Sequence, residues 1–318
     1  MVRFWFPLAL LAGSCANEAN AQSIRELNGH RAAVYAVAVR PDGEQMASAS
    51  FDRTIGIWNT QTGRIVKTFA GHRDKVLALA YSADGSQLAS AGLDGTIRLW
   101  DAATGEVRAR LTGRNGCVQG ISFLPDGRRL IACGEAGVAE IWKMAEGVVE
   151  RTIRIEPEGM PLYAVAASPD GKSIALAGLD GRIRLYHPST GRLQRAFEGH
   201  DGAVYSLSFS PDGESLLSGS IDRTLRRWRV ADGKPIHCLD GHKGAIYQAA
   251  FNPDGRRMVS AGTDGEVIVW DSGNGSVLHR HRFPCKTLCT AFTPDGRHIA
   301  AGGGKSAFYL MDLPRHVR

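Results

Sequence analysis

The chain has 318 residues, 43% of them hydrophobic, with 38 glycines and a formal net charge of +6. That is enough apolar material for a large core, so the fold does not depend on disulfides. The basic residues are scattered over turns and strand ends, which excludes the dense cationic stripe of a nucleic-acid reader, and no nucleic-acid partner is expected.

The N-terminus reads Met1-Val2-Arg3, an apolar run from Phe4 to Gly13, and the small-x-small triplet Ala19-Asn20-Ala21. This pattern predicts a cleaved secretory signal peptide over 1–21 and a mature domain over 22–318. A membrane anchor is one rival, but the ten apolar residues of that run are too few to span a hydrocarbon core, so no transmembrane segment is expected in the mature chain. Lipidation at Cys15, in Leu-Ala-Gly-Ser-Cys, is the other. Beyond the leader stand Cys117, Cys133, Cys238, Cys285 and Cys289, an odd number that rules out a full set of disulfides. Cys117 and Cys133 flank one predicted turn and could either pair or remain buried free thiols. Cys285-x-x-x-Cys289 has no convincing set of further ligands, and no metal, haem or other cofactor is expected.

From Ser23 onward the chain repeats. Short runs in which β-branched and aromatic residues alternate with small or polar ones are broken by Asp-Gly turns, as in Leu239 to Asp271, which reads as three antiparallel strands. The residue before the first such turn recurs at Pro41, Ala83, Pro125, Pro169, Pro211, Pro253 and Pro294, at intervals of 42, 42, 44, 42, 42 and 41 residues. Seven units of this period are one array, because no single small sheet can bury both its faces. Ser23 to Leu27 is a lone strand with counterparts at Ile65–Phe69, Val107–Leu111, Leu193–Phe197 and Pro235–Leu239, each the last strand of a unit. The final unit lacks that strand. The first strand is therefore expected to complete the last sheet and close a ring of seven four-stranded sheets, which removes the open ends of the array.

Four units carry Gly-His, then an Asp six residues before a Trp, with 28 residues from His to Trp. The recurrence resembles the WD-repeat β-propeller family, in its bacterial exported form, from about Ser23 to Asp312. The resemblance implies an all-β, seven-bladed β-propeller of four-stranded blades. It also implies a hydrogen-bond relay in each blade through His30, Asp52, Ser48 and Trp58; His72, Asp94, Ser90 and Trp100; His200, Asp222, Ser218 and Trp228; and His242, Asp264, Ser260 and Trp270. A Ser, His and Asp set repeated four times is scaffolding, since one active site needs one constellation. The third blade has Arg114, Ala132 and Ala136 in the His, Ser and Asp positions but keeps Trp142. The fourth has Glu158, Leu176 and Tyr186 with Asp180 kept, and the seventh has Phe283, Ala301, Lys305 and Met311. These three are expected to hold by apolar packing and backbone ladders.

The resemblance places recognition on the face that carries the Gly-His and Asp turns. The position five residues after each His reads Tyr35, Leu77, Gln119, Tyr163, Tyr205, Tyr247 and Leu288, near the channel mouth. Tyrosines there could wedge between blades or bind a partner. With Lys75, Lys286 and Arg114 at the edge, the partner-binding set is Tyr35, Lys75, Arg114, Gln119, Tyr163, Tyr205, Tyr247 and Lys286, suited to an acidic protein segment. No Gly-rich phosphate loop, nucleophile elbow or His-Glu-x-x-His set is present. The expected function is thus a non-catalytic protein-interaction scaffold, monomeric alone, in the periplasm. The alternatives are an accessory protein of a periplasmic electron-transfer or enzyme complex, a cofactor-binding propeller enzyme, or a cytoplasmic scaffold.

Overall fold

The computed structural model describes residues 23–306, 308–314 and 317; the predicted signal peptide over 1–21 and Cys15 lie outside them. Among the described residues the chain forms seven four-stranded antiparallel sheets. Blade 6 shows why. Its strands Ile246–Phe251, Arg257–Gly262, Glu266–Asp271 and Val277–Arg282 are joined by three tight turns, each with one glycine at positive φ: Gly255 at 73°, Gly265 at 83° and Gly275 at 75°. Only a residue without a Cβ takes that backbone cheaply. Blades 1 and 5 put Arg53 (φ 73°) and Arg223 (φ 72°) where blade 6 has Gly265, at a cost of about 1–2 kcal/mol each.

The ring closes as the unpaired first strand requires. Ile24–Leu27 lies antiparallel to Phe308–Asp312 in the register Ile24 to Met311 and Leu27 to Phe308, completing the sheet of Thr287–Phe292 and His298–Gly303. Blades 1 to 6 run over Val34–Ala70, Val76–Thr112, Val118–Arg154, Leu162–Phe197, Val204–Leu239 and Ile246–Arg282.

The core lies between the blades. Each tryptophan among the described residues is buried against a ring or aliphatic chain of the preceding blade: Trp100 stacks on Phe69 at 5.3 Å and Trp58 sits 5.6 Å from Phe308, with Leu27 in the same cluster. Burial of such a side chain stabilises by about 1.5–3 kcal/mol, so each blade is held chiefly by its neighbours.

One feature recurs in all seven blades. The pairing of the innermost strand with the second skips one residue, and the skipped residues are Tyr35, Leu77, Gln119, Tyr163, Tyr205, Tyr247 and Leu288. A β-bulge leaves that residue out of the ladder and re-aims its side chain.

Candidate functional site

In blades 1, 2, 5 and 6 the His, Ser, Asp and Trp side chains form one chain of hydrogen bonds. In blade 1, Trp58 Nε1–H donates to Ser48 Oγ (2.7 Å), and Ser48 Oγ lies 2.7 Å from His30 Nε2, whose Nδ1 lies 2.9 Å from Asp52. The indole can only donate, so the network fixes the order: Ser O–H gives to Nε2 and Nδ1–H gives to the carboxylate. Asp52 also receives the backbone N–H of Arg31 and of Thr54, tying two turns together. The same set recurs through Ser90, Ser218 and Ser260, all buried like Ser48. Each hydroxyl is saturated by indole and imidazole and closed to substrate, so these residues do structural work.

Charge follows from the same geometry. Burial would raise the Asp52 carboxyl, but hydrogen bonds from Thr54, Arg31 N–H and His30 outweigh it and hold the pKa below its usual value. Burial lowers His72 and His242 against the opposing pull of Asp94 and Asp264, so both rings are neutral at pH 7. His242, Asp264 and Glu266 bring ligand-type atoms within 4.8 Å of one another. Those atoms are already used: Asp264 by His242 and Lys243 N–H, Glu266 by Arg280 at 2.5 Å.

Two of the three degenerate blades do not rest on apolar packing alone, as the sequence suggested. In blade 3 the amide of Asn115 donates to the Ala132 and Val138 carbonyls, and buried Glu140 accepts the Arg114 N–H at 3.1 Å. In blade 4, Arg184 joins Asp180 at 2.6 Å to the Glu156 carbonyl at 2.7 Å, linking the same two turns that histidine links elsewhere. Both replacements come from the third strand, two residues before the tryptophan position. Blade 7 is apolar there, with Phe283 and Tyr309 rings 4.4 Å apart. All five described cysteines are free thiols, Cys117 and Cys133 included, and burial pushes Cys133 and Cys289 up to about 12.

At the channel mouth the bulges gather the tyrosines. Tyr163 stacks on Tyr205 (4.8 Å, 3°), Tyr205 on Tyr247 (4.6 Å, 22°), and Tyr247 meets Tyr35 edge-on at 6.3 Å. Tyr35 lies deeper, stacked on Phe51 at 5.4 Å, and Lys75 Nζ lies 4.9 Å from the Phe51 ring. Burial first, then Tyr247 and Tyr163, pushes the Tyr205 hydroxyl up to about 12, so it stays protonated and able to donate. Below the rings a channel void of about 110 Å³ is lined by Leu77, Ile121 and Val165 together with Gln119, Gln248, Tyr163 and Tyr205. Gln119 reaches Glu135 at 3.5 Å, while Arg114 and Lys286 point to solvent at the edge. The eight residues therefore divide into a three-ring stack, a half-buried backing ring in Tyr35, and a polar edge.

Sequence reasoning missed the apolar rim of this site. Leu179 and Ile221 stand 48% exposed in the turns beside Tyr163 and Tyr205, at the repeat position Phe51 holds in blade 1. The signal was available: the residue just before the turn Asp is large and apolar in blades 1, 2, 4 and 5. The charges also gather more than their scatter along the chain suggested. Arg31, Arg53, Arg73, Arg223, Lys243 and Lys305 are exposed in turns of this face, none in an ion pair among the described residues.

The pattern of the WD domain, G-beta repeat family matches residues 21–59, 63–101, 105–143, 152–187, 191–229 and 233–271. Each matched stretch ends at or just after a third strand, so it joins the outer strand of one blade to three strands of the next. Among curated proteins, the chain is 35% identical over 51 residues to Eukaryotic translation initiation factor 3 subunit I of Aspergillus niger, covering 16% of this chain and 15% of that protein. It is 44% identical over 48 residues to Notchless protein homolog of Arabidopsis thaliana, covering 15% of this chain and 10% of that protein. These relatives correct the periplasmic expectation: they are proteins of a fungus and a plant and not of a bacterium. They give no support to a bacterial, exported form either. No helix among the described residues is long and apolar enough to cross a membrane. With six repeats matched and seven blades closed by the first strand, the chain belongs to the WD domain, G-beta repeat family.

Proposed function

We propose that this protein is a protein-interaction scaffold that takes an extended, acidic segment of a partner across the turn face at the channel mouth. Propellers of this family are characteristically non-catalytic, which agrees with relay hydroxyls that are buried and fully used. The observation that carries the reading is the Tyr163, Tyr205 and Tyr247 stack, raised out of the ladder by a bulge in each blade and flanked by exposed Leu179 and Ile221. Tyrosine offers a large rigid contact with a donor tip at low entropic cost, the character of an interface anchor. Around it, Arg31, Arg73, Lys243 and Lys286 favour a negative partner, though Glu135, Glu158 and Asp201 interrupt the field. One relative is by its name a subunit of a translation initiation factor, which supports a place as an accessory component of a larger assembly.

Affinity capture from the source cells with wild type and with a Tyr163→Ala, Tyr205→Ala, Tyr247→Ala variant tests this. Partners held by the wild type are expected to be lost from the variant and to elute with rising salt. An unchanged partner set on a variant with native circular dichroism would sink the proposal.

A further inference from the structure

A second pattern repeats on the outer strands, away from the channel. A basic side chain on the outer strand of one blade reaches into the turn between the third and fourth strands of the next. Arg25 donates to the Gln61 carbonyl (2.5 Å), Lys67 to Ala103 (2.7 Å) and Thr104 (3.1 Å), Arg151 to Ser189 (2.7 Å) and Thr190 (3.2 Å), and His237 bonds the Gly273 carbonyl at 3.0 Å. Gln61, Ala103, Ser189 and Gly273 occupy the same turn position, so in blades 1, 2, 4 and 6 that carbonyl receives a cation or ring N–H from the preceding blade. The donors are set by register: Lys67 pairs with Ile57 and Arg151 with Ile141, the residue before the tryptophan in each case.

At the junction of blades 2 and 3 the equivalent residue, paired with Leu99, is Ala109. The matching acceptors, the Ala145 and Glu146 carbonyls, receive no hydrogen bond among the described residues. The junction is also looser. A methyl on the turn glycine would meet a side-chain atom of the preceding blade at 2.7 Å at Gly63, 2.5 Å at Gly105, 3.2 Å at Gly191, 3.1 Å at Gly233 and 2.6 Å at Gly275, but at 3.6 Å at Gly147. What results is a groove of about 730 Å³ with Leu99, Ala109 and Met144 among its apolar lining and Ala145 and Glu146 at its rim.

We infer that this groove binds a lysine or arginine side chain of a partner polypeptide, which supplies from outside the cation that the chain supplies to itself at the neighbouring junctions. The stem lies over Ala109, Leu99 and Met144, as the stems of long basic side chains do on apolar surface, and the head donates to the Ala145 and Glu146 carbonyls. The template for this occupant is intramolecular: Lys67, one junction away, already makes both bonds to Ala103 and Thr104. Nearby cations oppose it little, because Arg108 is paired with Asp101, Arg129 with Asp126 and Lys143 with Glu146, leaving Arg128 without an ion pair among the described residues.

The test is a titration of isotopically labelled protein with acetyl-Ala-Lys-Ala-amide, and with the same tripeptide carrying norleucine or glutamate in place of lysine, followed by backbone amide shifts. The lysine peptide is expected to shift the amides of Ala145 to Gly147, and norleucine to shift them far less. Ala109→Lys, which restores the clasp from within, should abolish the response. Lys67→Ala, a change at an exposed position, should create a second response at Ala103 to Gly105. A stronger response to glutamate would overturn the proposal in favour of an anion at Arg128, as would shifts that survive in Ala109→Lys or a Lys67→Ala protein that gains none.

Discussion

Blades 6 and 3 bury the same tryptophan in the same place, Trp270 at 2% and Trp142 at 3% exposure, and surround it differently. In blade 6 the indole N–H is the first donor of a chain that ends on Asp264 and holds two turns. In blade 3 Ala132 replaces the serine, and among the described residues the Trp142 N–H has no hydrogen-bond partner and Asn115 Oδ1 is also unsatisfied. Both sheets nonetheless keep four strands in matching register. The relay is therefore not what makes a blade. Packing between neighbours does that, and the relay refines the position of the turns on the face proposed for recognition.

The largest test of that division is removal of the ring itself. Trp270→Ala and Trp142→Ala are each expected to cost about 3–5 kcal/mol in urea unfolding, since the cavity is the same in both. A far smaller cost in blade 3 would break the claim that packing dominates. Next comes the hydroxyl. Ser260→Ala strands both the Trp270 N–H and His242 Nε2 and is expected to cost about 1–3 kcal/mol, whereas Ala132→Ser gives the Trp142 N–H an acceptor and should be neutral or stabilise by about 1 kcal/mol. Equal destabilisation by both changes would show that the polar chain has no bearing on stability.

How much of this was legible in the sequence depends on what each feature rests on. The period, the ring closure by Ile24–Leu27 and the relay positions rest on fixed offsets, and offsets survive in sequence. The bulge under Tyr35, Tyr163, Tyr205 and Tyr247 does not, because alternation reads straight through a skipped partner. Glu140 and Arg184 were invisible as replacements because they come from the third strand, outside the His, Ser and Asp positions being compared. The clasp was invisible for a third reason: Arg25, Lys67, Arg151 and His237 differ in type and act on a neighbouring blade, so only the assembled ring relates them.

The smallest effect is the most discriminating, because the two blades respond to pH with opposite sign. His72 and His242 have folded pKa values lowered, mainly by burial, from the ordinary 6.5. The unfolded chain therefore takes up protons first as pH falls below 6.5, and the stability these rings contribute is lost on the way down toward their folded pKa. Glu140 behaves in the other direction. Burial raises its carboxyl above the ordinary 4.5 despite the Arg114 N–H and charge, so the folded state holds the proton longer, and stability is lost as pH rises through the folded pKa. Protonated Glu140 also gains an O–H beside Asn115 Oδ1, the acceptor that lacks a donor. Urea midpoints measured from pH 4.5 to 7.5 should fall on acidification more steeply in Glu140→Gln, which removes the opposing slope, and less steeply in His242→Gln. If Glu140→Gln flattened the profile instead, the buried carboxylate would have to be ionised in the fold, and blade 3 would then be held by the Arg114 charge and not by a neutral hydrogen-bonded pair.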